Sequence, residues 1–507
     1  MKIGAICRTS AVLILWAMFP ALADSAKPRI NGPSIYGARP NHPFLYRIPA
    51  TGQRPLRFFA SGLPQGLKLD RATGIITGAV KSPVSATVNL KATNSAGTCE
   101  RNFRIVIGDQ LALTPPMGWS TWYLLQSKVS DHDVRAQADG MISSGLIDHG
   151  YSYINIDDGW SVKLEGVAEA ASPRDARGNL KCNERFPDMK ALTDYLHKRG
   201  LKAGIYSSPG PLTCGRAAGS YRHEQQDARQ FADWGFDLLK YDQCSYRRKD
   251  NSLAEFQKPY RLMGGILAGL DRDIVFNLCQ YGNAEVWKWG REAGGHFWRT
   301  SGDLGWGPKG IYTLWDNIVK TFEQGDHGKF AGPGGWNDPD NVMMGYIADI
   351  PKDARPPNVK ILRLIPAPLT PDEQYTHMTL WSILAAPLIL SGDLTKLDGF
   401  TLSLLTNDEV IEVNQDPLGK QATRVFESGG LSVWVKDLED GSKAVGLFNL
   451  GDIEKNVTAR WADLAIFGKH AVRDLWRQED LGRFENEFPA RVAPHGVVLV
   501  KIRAAAE

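Results

Sequence analysis

The strongest constraint on this 507-residue chain is a figure repeated through its middle: a short apolar run ending in acidic or other polar residues, then an amphipathic helical stretch. Tyr151 to Ile156 ends in Asp157-Asp158, Lys202 to Tyr206 in Ser207-Ser208, Asp237 to Tyr241 in Asp242, and Ile274 to Leu278 in Cys279-Gln280. His296 to Arg299 leads into Asp303, Lys329 to Ala331 leads to Asp338 and Asp340, and Leu388 to Leu390 ends in Ser391-Gly392-Asp393. With Thr114 to Trp119 as the first strand, these make eight strand-helix units in about 290 residues, and a (β/α)8 TIM barrel is their natural closure. A doubly wound sheet fits less well, because no glycine-rich phosphate fingerprint follows any strand.

The flanks read differently. Residues 24–110 show short alternating runs (Phe44 to Ile48, Leu56 to Phe59, Ala86 to Ala92, Phe103 to Ile107) between Gly, Pro and Asn turns, as in a β-sandwich. Beyond the barrel segment, 111–413, residues 414–507 turn β-rich again (Leu431 to Val435, Ala444 to Asn449, Val457 to Trp461, Gly496 to Ile502), which predicts a small antiparallel β domain. At the start, Lys2 and Arg8 precede the apolar run Ala11 to Phe19, and Ala21-Leu22-Ala23 forms a small-residue cleavage pattern. Residues 1–23 therefore read as a signal peptide, which predicts a secreted or periplasmic protein.

Loss of that segment takes the formal charge from +3 to +1. A near-neutral balance without basic runs argues against nucleic acid and against electrostatic membrane binding. The five cysteines left (Cys99, Cys182, Cys214, Cys244, Cys279) cannot all pair, and their spacing shows no zinc-ligand repeat.

The acids at the strand ends, Asp157, Asp158, Asp242, Asp303, Asp338 and Asp340, should converge on one mouth with Trp119, Trp122, Tyr206, Lys240, Arg299 and Trp336. Carboxylates so close repel one another unless cations compensate, and Lys240 and Arg299 are the available ones. A carboxylate-rich mouth lined by indoles suits a sugar hydrolase or a metal site. The near absence of histidine favours sugar, so no metal and no cofactor are expected.

Several motifs, taken in order, resemble a known family. Thr114-Pro115-Pro116-Met117-Gly118-Trp119 with Trp122, Ile156-Asp157-Asp158-Gly159-Trp160, and Lys202-Ala203-Gly204-Ile205-Tyr206 are followed by Lys240-Tyr241-Asp242. Then come Gly335-Trp336-Asn337-Asp338-Pro339-Asp340, Ala385-Ala386-Pro387-Leu388 and Asn414-Gln415-Asp416-Pro417. Residues 111 to about 420 thus resemble the alpha-galactosidases (melibiases) of glycoside hydrolase family 27. Gly62-Leu63-Pro64-Gln65-Gly66-Leu67 and Thr73-Gly74-Ile75-Ile76-Thr77-Gly78 resemble the immunoglobulin-like domain attached to many secreted bacterial enzymes.

The resemblance implies a retaining exo-glycosidase with two carboxyl groups about 5 to 5.5 Å apart. Asp242 matches the nucleophile and Asp303 the acid/base. Asp157 and Asp158 match the pair that holds the 4- and 6-hydroxyls of galactose, and Lys240 and Arg299 match sugar-binding positions. Trp119 and Trp122 are expected to wall the sugar subsite beside Tyr206. Cys214 and Cys244 match a family disulfide.

Two departures stand out. Cys279-Gln280-Tyr281-Gly282 replaces the family's usual glutamate and tryptophan after the cysteine, in the segment that reads the substituent at carbon 2. An insertion from about Ala348 to Leu369 could cap the mouth or mediate association. They keep open a beta-L-arabinopyranosidase or alpha-glucan reading, although the Asp157-Asp158 pair speaks against the former. A non-catalytic galactose-binding protein is disfavoured by the presence of both Asp242 and Asp303.

Overall fold

The computed structural model describes residues 26–163, 172–305, 313–350 and 361–505. The predicted signal peptide and the tip of the 348–369 insertion lie outside them. Eight parallel strands form the central sheet: β1 (Met117–Ser120), β2 (Tyr153–Asn155), β3 (Lys202–Ser207), β4 (Leu238–Tyr241), β5 (Val275–Leu278), β6 (Phe297–Arg299), β7 (Trp336–Asp338) and β8 (Leu388–Leu390). Their order is β7-β6-β5-β4-β3-β2-β1-β8, and Val342, just past β7, bridges Leu390 to close the circle. These strands are apolar almost throughout because both faces are covered, outside by helices and inside by the barrel's own side chains.

The covering helices include α1 (Asp131–Ser143), α2 (Met189–His197), α3 (Glu224–Trp234), α4 (Leu253–Ala268), α5 (Leu314–Thr321) and α6 (Pro371–Ile383). Capping boxes start α1 (Ser130 with Asp133), α5 (Thr313 with Asp316) and α6 (Thr370 with Glu373), each satisfying backbone donors that the first turn leaves free.

One strand differs from the sequence expectation. Lys329 to Ala331 is not the seventh strand; residues Phe322–Phe330 form a kinked 3-10 segment. The chain then turns tightly, Gly332 pairing with Gly335, and β7 starts at Trp336, opposite Phe297. Trp336 therefore lies at the base of the barrel with Leu111, Tyr153, Leu238, Val275 and Phe297, its indole N–H donating to the Ala112 carbonyl at 2.7 Å. It does not reach the mouth, where its sequence position had placed it.

The N-terminal module is a sandwich of a four-stranded sheet (Ile35–Ala38, Gly97–Ile107, Val84–Asn94, Arg57–Ser61) and a three-stranded one (Phe44–Arg47, Ile75–Gly78, Leu67–Leu69), with its own core. Residues 423–504 form a six-stranded antiparallel sheet faced by the pair Lys455–Arg460 and Glu487–Val492. This sheet packs on α6, where the Thr376 hydroxyl donates to the His495 carbonyl at 2.7 Å.

The N-terminal module grips the base of the barrel, opposite the mouth. Arg39 donates from Nε to Asp273 Oδ1 at 2.7 Å, and its guanidinium reaches the carbonyls of Leu267 and Ala268 at the end of α4 and of Arg272 beyond it. Arg47 and Arg54 both reach Asp148, and Lys202, buried at the start of β3, donates to the Tyr36 hydroxyl. Burial pushes the Lys202 amine down to about 8, against the pull of Asp237 and Asp273. Arg39→Ala should strip a half-buried carboxylate and three carbonyls of a charged donor, costing about 2 kcal/mol, and should lower the thermal midpoint of the whole chain. An unchanged midpoint in differential scanning calorimetry would mean that the module is tethered and not docked.

Candidate active site

Register sets the layers of the mouth. Tyr206 of β3 pairs with Lys240 of β4, which pairs with Asn277 of β5, so these three residues stand level. Asp242 follows two residues on, its N–H donating to the Ser207 carbonyl at 3.0 Å. Both its carboxylate oxygens are held. Tyr206 donates to Oδ2 at 2.8 Å, while Tyr281 and the Gln243 backbone N–H donate to Oδ1, each at 2.8 Å. Burial raises the Asp242 carboxyl above its ordinary range, and Lys240 together with these three donors pulls it back toward the ionised form.

Asp157 and Asp158 close β2. The Asp157 N–H donates to the Thr121 hydroxyl at 2.9 Å, and its carboxylate accepts from Lys240 Nζ at 2.7 Å. Asp158 accepts from the Thr213 hydroxyl at 3.0 Å and from the Gly215 N–H. Gly159 turns the chain away at φ +115°, where a Cβ would lie 2.6 Å from Ser127 Cα, so the two acids end the strand and do not cap a helix. Burial pushes Asp158 up to about 6, with its like-charged neighbours Asp157 and Asp242 adding to the rise.

A disulfide joins Cys214 to Cys244 and ties the loop that grips Asp158 to the residue two past Asp242. Cys214 Sγ lies 4.0 Å from Asp242 Oδ2, and Cys244 Sγ lies 3.5 Å from the Tyr206 hydroxyl. These sulfurs and Asp242 are close enough to suggest a metal site, but the sulfurs are bonded to each other. Cys99, Cys182 and Cys279 remain free thiols.

Across the mouth, Arg299 ends β6 and shares one nitrogen between Asp303 Oδ1 at 3.1 Å and Asp340 Oδ1 at 3.2 Å. Asp303 reaches the opening, its side chain 28% exposed, and accepts only from Arg299 among the described partners. Burial nonetheless pushes it up to about 6; Arg299 and Lys240 oppose the rise, while Asp340 and Asp242 add to it. Asp338 is likewise pushed up to about 6 by burial.

Asp340 does more than fix its own loop. It adopts φ +112°, strained for a residue with a Cβ, and it is held there by Arg299, the Tyr123 hydroxyl and the Leu304 N–H. The last bond anchors the loop that carries Asp303. Trp381 donates to the Asp340 carbonyl at 2.7 Å from beneath.

The remaining candidates divide. Trp119 is fully buried, and its indole N–H is bonded to the Gly392 carbonyl at 2.7 Å. Trp122, 9% exposed, sits on the helical turn after β1, against the hairpin Tyr346–Asp349 and Arg363–Pro366 that forms the base of the predicted insertion. Gln280 has no exposed surface, and neither its amide oxygen nor its nitrogen has a partner. Such an orphaned buried amide is rare, and a ligand hydroxyl would satisfy it. Tyr281 and Tyr123, which touch Asp242 and Asp340, escaped sequence reasoning. Their only signals were adjacency to Gln280 and to Trp122.

Comparison with known proteins bears on this geometry. Residues 114–416 match the model described as Alpha galactosidase A. The chain belongs to that family. Residues 428–502 match the Alpha galactosidase C-terminal beta sandwich domain, and residues 27–108 the Putative Ig domain. Alpha-galactosidase 2 of Arabidopsis thaliana is 37% identical over 77% of this chain and 90% of its own. A putative alpha-galactosidase of Bacteroides fragilis superposes at TM-score 0.84 with 37% identity, covering 95% of this chain and 99% of that one. Alpha-galactosidase I of Mortierella vinacea does so at 0.68 with 31% identity, covering 79% of this chain and 99% of that one.

With the charge of Asp340 removed and the shape kept, Arg299 pairs with Asp303 alone. In Asp340→Asn the Asp303 carboxyl should therefore titrate below about 6, as read by 13C NMR of labelled aspartate.

Proposed function

We propose that this chain is a retaining alpha-galactosidase, removing terminal alpha-D-galactosyl residues through a covalent glycosyl-enzyme. One observation carries the reading: Asp242 and Asp303 face one mouth in opposite surroundings, the first held by three donors with Lys240 nearby, the second raised to about 6 with one partner. Two carboxyls in such unlike hydrogen-bonding surroundings suit a nucleophile and a proton donor.

In this reading Asp303 protonates the glycosidic oxygen while Asp242 attacks the anomeric carbon, and Asp303 then takes the proton of the water that frees the sugar. Asp157 and Asp158 hold hydroxyls far from the reacting carbon, with Lys240 and Arg299 as charged donors to the sugar. Trp122 is the apolar wall, and Trp119 supports it from the core. The orphaned amide of Gln280 offers both a donor and an acceptor to the 2-hydroxyl. The Asp157-Asp158 pair and the stronger likeness to alpha-galactosidases favour galactose over the sugar of the beta-L-arabinopyranosidase from Geobacillus stearothermophilus, to which the chain is 26% identical.

The proposal extends to organisation: a leader at 1–23, an immunoglobulin-like module at 24–110, the barrel at 111–413 and an antiparallel domain at 414–507. The separate N- and C-terminal cores support the division, and the Cys214–Cys244 bridge suits an oxidising compartment outside the cytoplasm. Among the described residues no helix is long and apolar enough to cross a membrane.

Purified mature chain should hydrolyse para-nitrophenyl alpha-galactoside and release alpha-galactose first by NMR; release of the beta anomer would refute retention. Asp242→Asn should lose turnover by several orders of magnitude and still bind galactose in calorimetry. The proton donor must be protonated before the first step, so kcat/KM should fall as pH rises through about 6. In Asp303→Asn that basic limb should disappear.

A further inference from the structure

The two oxygens of Asp242 have unlike surroundings. Oδ2 accepts one hydrogen bond, from Tyr206, whereas Oδ1 accepts two, from Tyr281 and from the Gln243 N–H. An oxygen whose lone pairs are both engaged is the poorer nucleophile, and the other keeps a lone pair for carbon. We infer, on the retaining alpha-galactosidase reading above, that Oδ2 is the attacking oxygen and that Tyr281 is a positioning residue that holds Oδ1 as the oxygen that never bonds the sugar.

The chain is built to deliver that phenol. Tyr281 and Gly282 follow β5 in the left-handed region, at φ +58° and +80°. A Cβ on Gly282 would lie 2.4 Å from the Thr300 carbonyl oxygen, and the Gly282 N–H donates to the Arg299 carbonyl at 2.9 Å, so the turn is pinned to β6. The Arg299 guanidinium sits 5.5 Å from the centre of the Tyr281 ring. An aromatic residue keeps such a backbone only where its surroundings over-determine it. Burial, then the Asp242 charge, holds the phenol protonated and hence a donor.

The chemistry follows atom by atom. In the first half Asp303 gives its proton to the leaving oxygen, the bond from C1 to that oxygen breaks, and a bond from Oδ2 to C1 forms. Oδ1 is then the carbonyl oxygen of the ester. In the second half water attacks C1, its proton passes to Asp303, and the electron pair of the C1–Oδ2 bond returns to the carboxylate. The returning charge spreads onto Oδ1, where Tyr281 and Gln243 meet it, so Tyr281 assists breakdown of the ester more than its formation.

Other groups face Asp242 as well. Lys240 stands on its own strand, Tyr206 on β3, and Cys279 with Tyr281 at the end of β5. Tyr260 of α4 donates to its backbone carbonyl, and the like charges Asp158 and Asp303 approach from β2 and from beyond β6. Lys240 and the hydrogen bonds favour the ionised form, while burial and the two acids disfavour it.

Tyr281→Phe removes one oxygen and leaves every charge in place. A donor to the ionised carboxylate lowers its pKa, so losing it should move the acid limb of kcat/KM up by about one pH unit. On a dinitrophenyl alpha-galactoside, kcat should fall roughly tenfold and galactosyl-enzyme should accumulate in the mass spectrum. Fluorotyrosine in place of Tyr281, a stronger donor of nearly the same shape, should move the limb down. A folded Tyr281→Phe protein with an unmoved acid limb overturns the assignment, whatever its rate. Should that variant not fold, an unmoved limb in the fluorotyrosine protein does the same. A parent chain inert on alpha-galactosides would instead overturn the activity on which the assignment rests.

Discussion

Two cations, Arg299 fully buried and Lys240 partly so, set what the mouth of this barrel can be. Six aspartates meet there, mostly out of water, and at that density they would repel one another or lose their charge. Lys240 bonds to Asp157, and Arg299 is shared between Asp303 and Asp340. Burial works against both cations, yet the surrounding acids keep them charged. The acids less fully compensated, Asp158, Asp303 and Asp338, rise to about 6. The site therefore holds carboxylates and protonatable acids together at near-neutral pH, the condition that paired-carboxyl chemistry needs.

Rigid placement follows from strand register at one end of the barrel and from docking at the other. Parallel neighbours bring Tyr206, Lys240 and Asn277 level, so Asp242 emerges where hydroxyls from two adjacent strands reach it. The disulfide and Gly215 clasp the loop over Asp158, while Asp340 clasps the loop of Asp303. The N-terminal module holds the base through Arg39, Arg47, Arg54 and Tyr36, reaches the C-terminal domain through Arg104 to Glu439, and leaves the mouth to substrate.

Much of the architecture was legible because buried parallel strands leave a continuous apolar run that ends where chemistry begins. Asp157, Asp158 and Asp242 could be placed from that punctuation. The seventh strand was misread because Lys329 to Ala331 looked like a short run, whereas the Gly332 to Gly335 turn delays the strand to Trp336. That shift of a few residues moved Trp336 from the mouth to the base. Tyr281 was illegible for another reason: its ring reaches Asp242 only through a left-handed backbone, which no periodicity announces.

The sequence by itself determined the strand-helix alternation, the acid types at the strand ends, and the two cations among them, since these depend on local patterning and on residue chemistry. Only the tertiary structure decided which acids burial raises, which indoles reach the mouth, and which oxygen of Asp242 is left open. Those properties depend on desolvation and on donors from segments far apart in sequence: Asp242 answers to Tyr206 and Tyr281, Asp303 to Asp340, and Asp158 to Gly215. Electrostatic energies change steeply over a few ångströms, so proximity in space assigns the proton where order along the chain cannot.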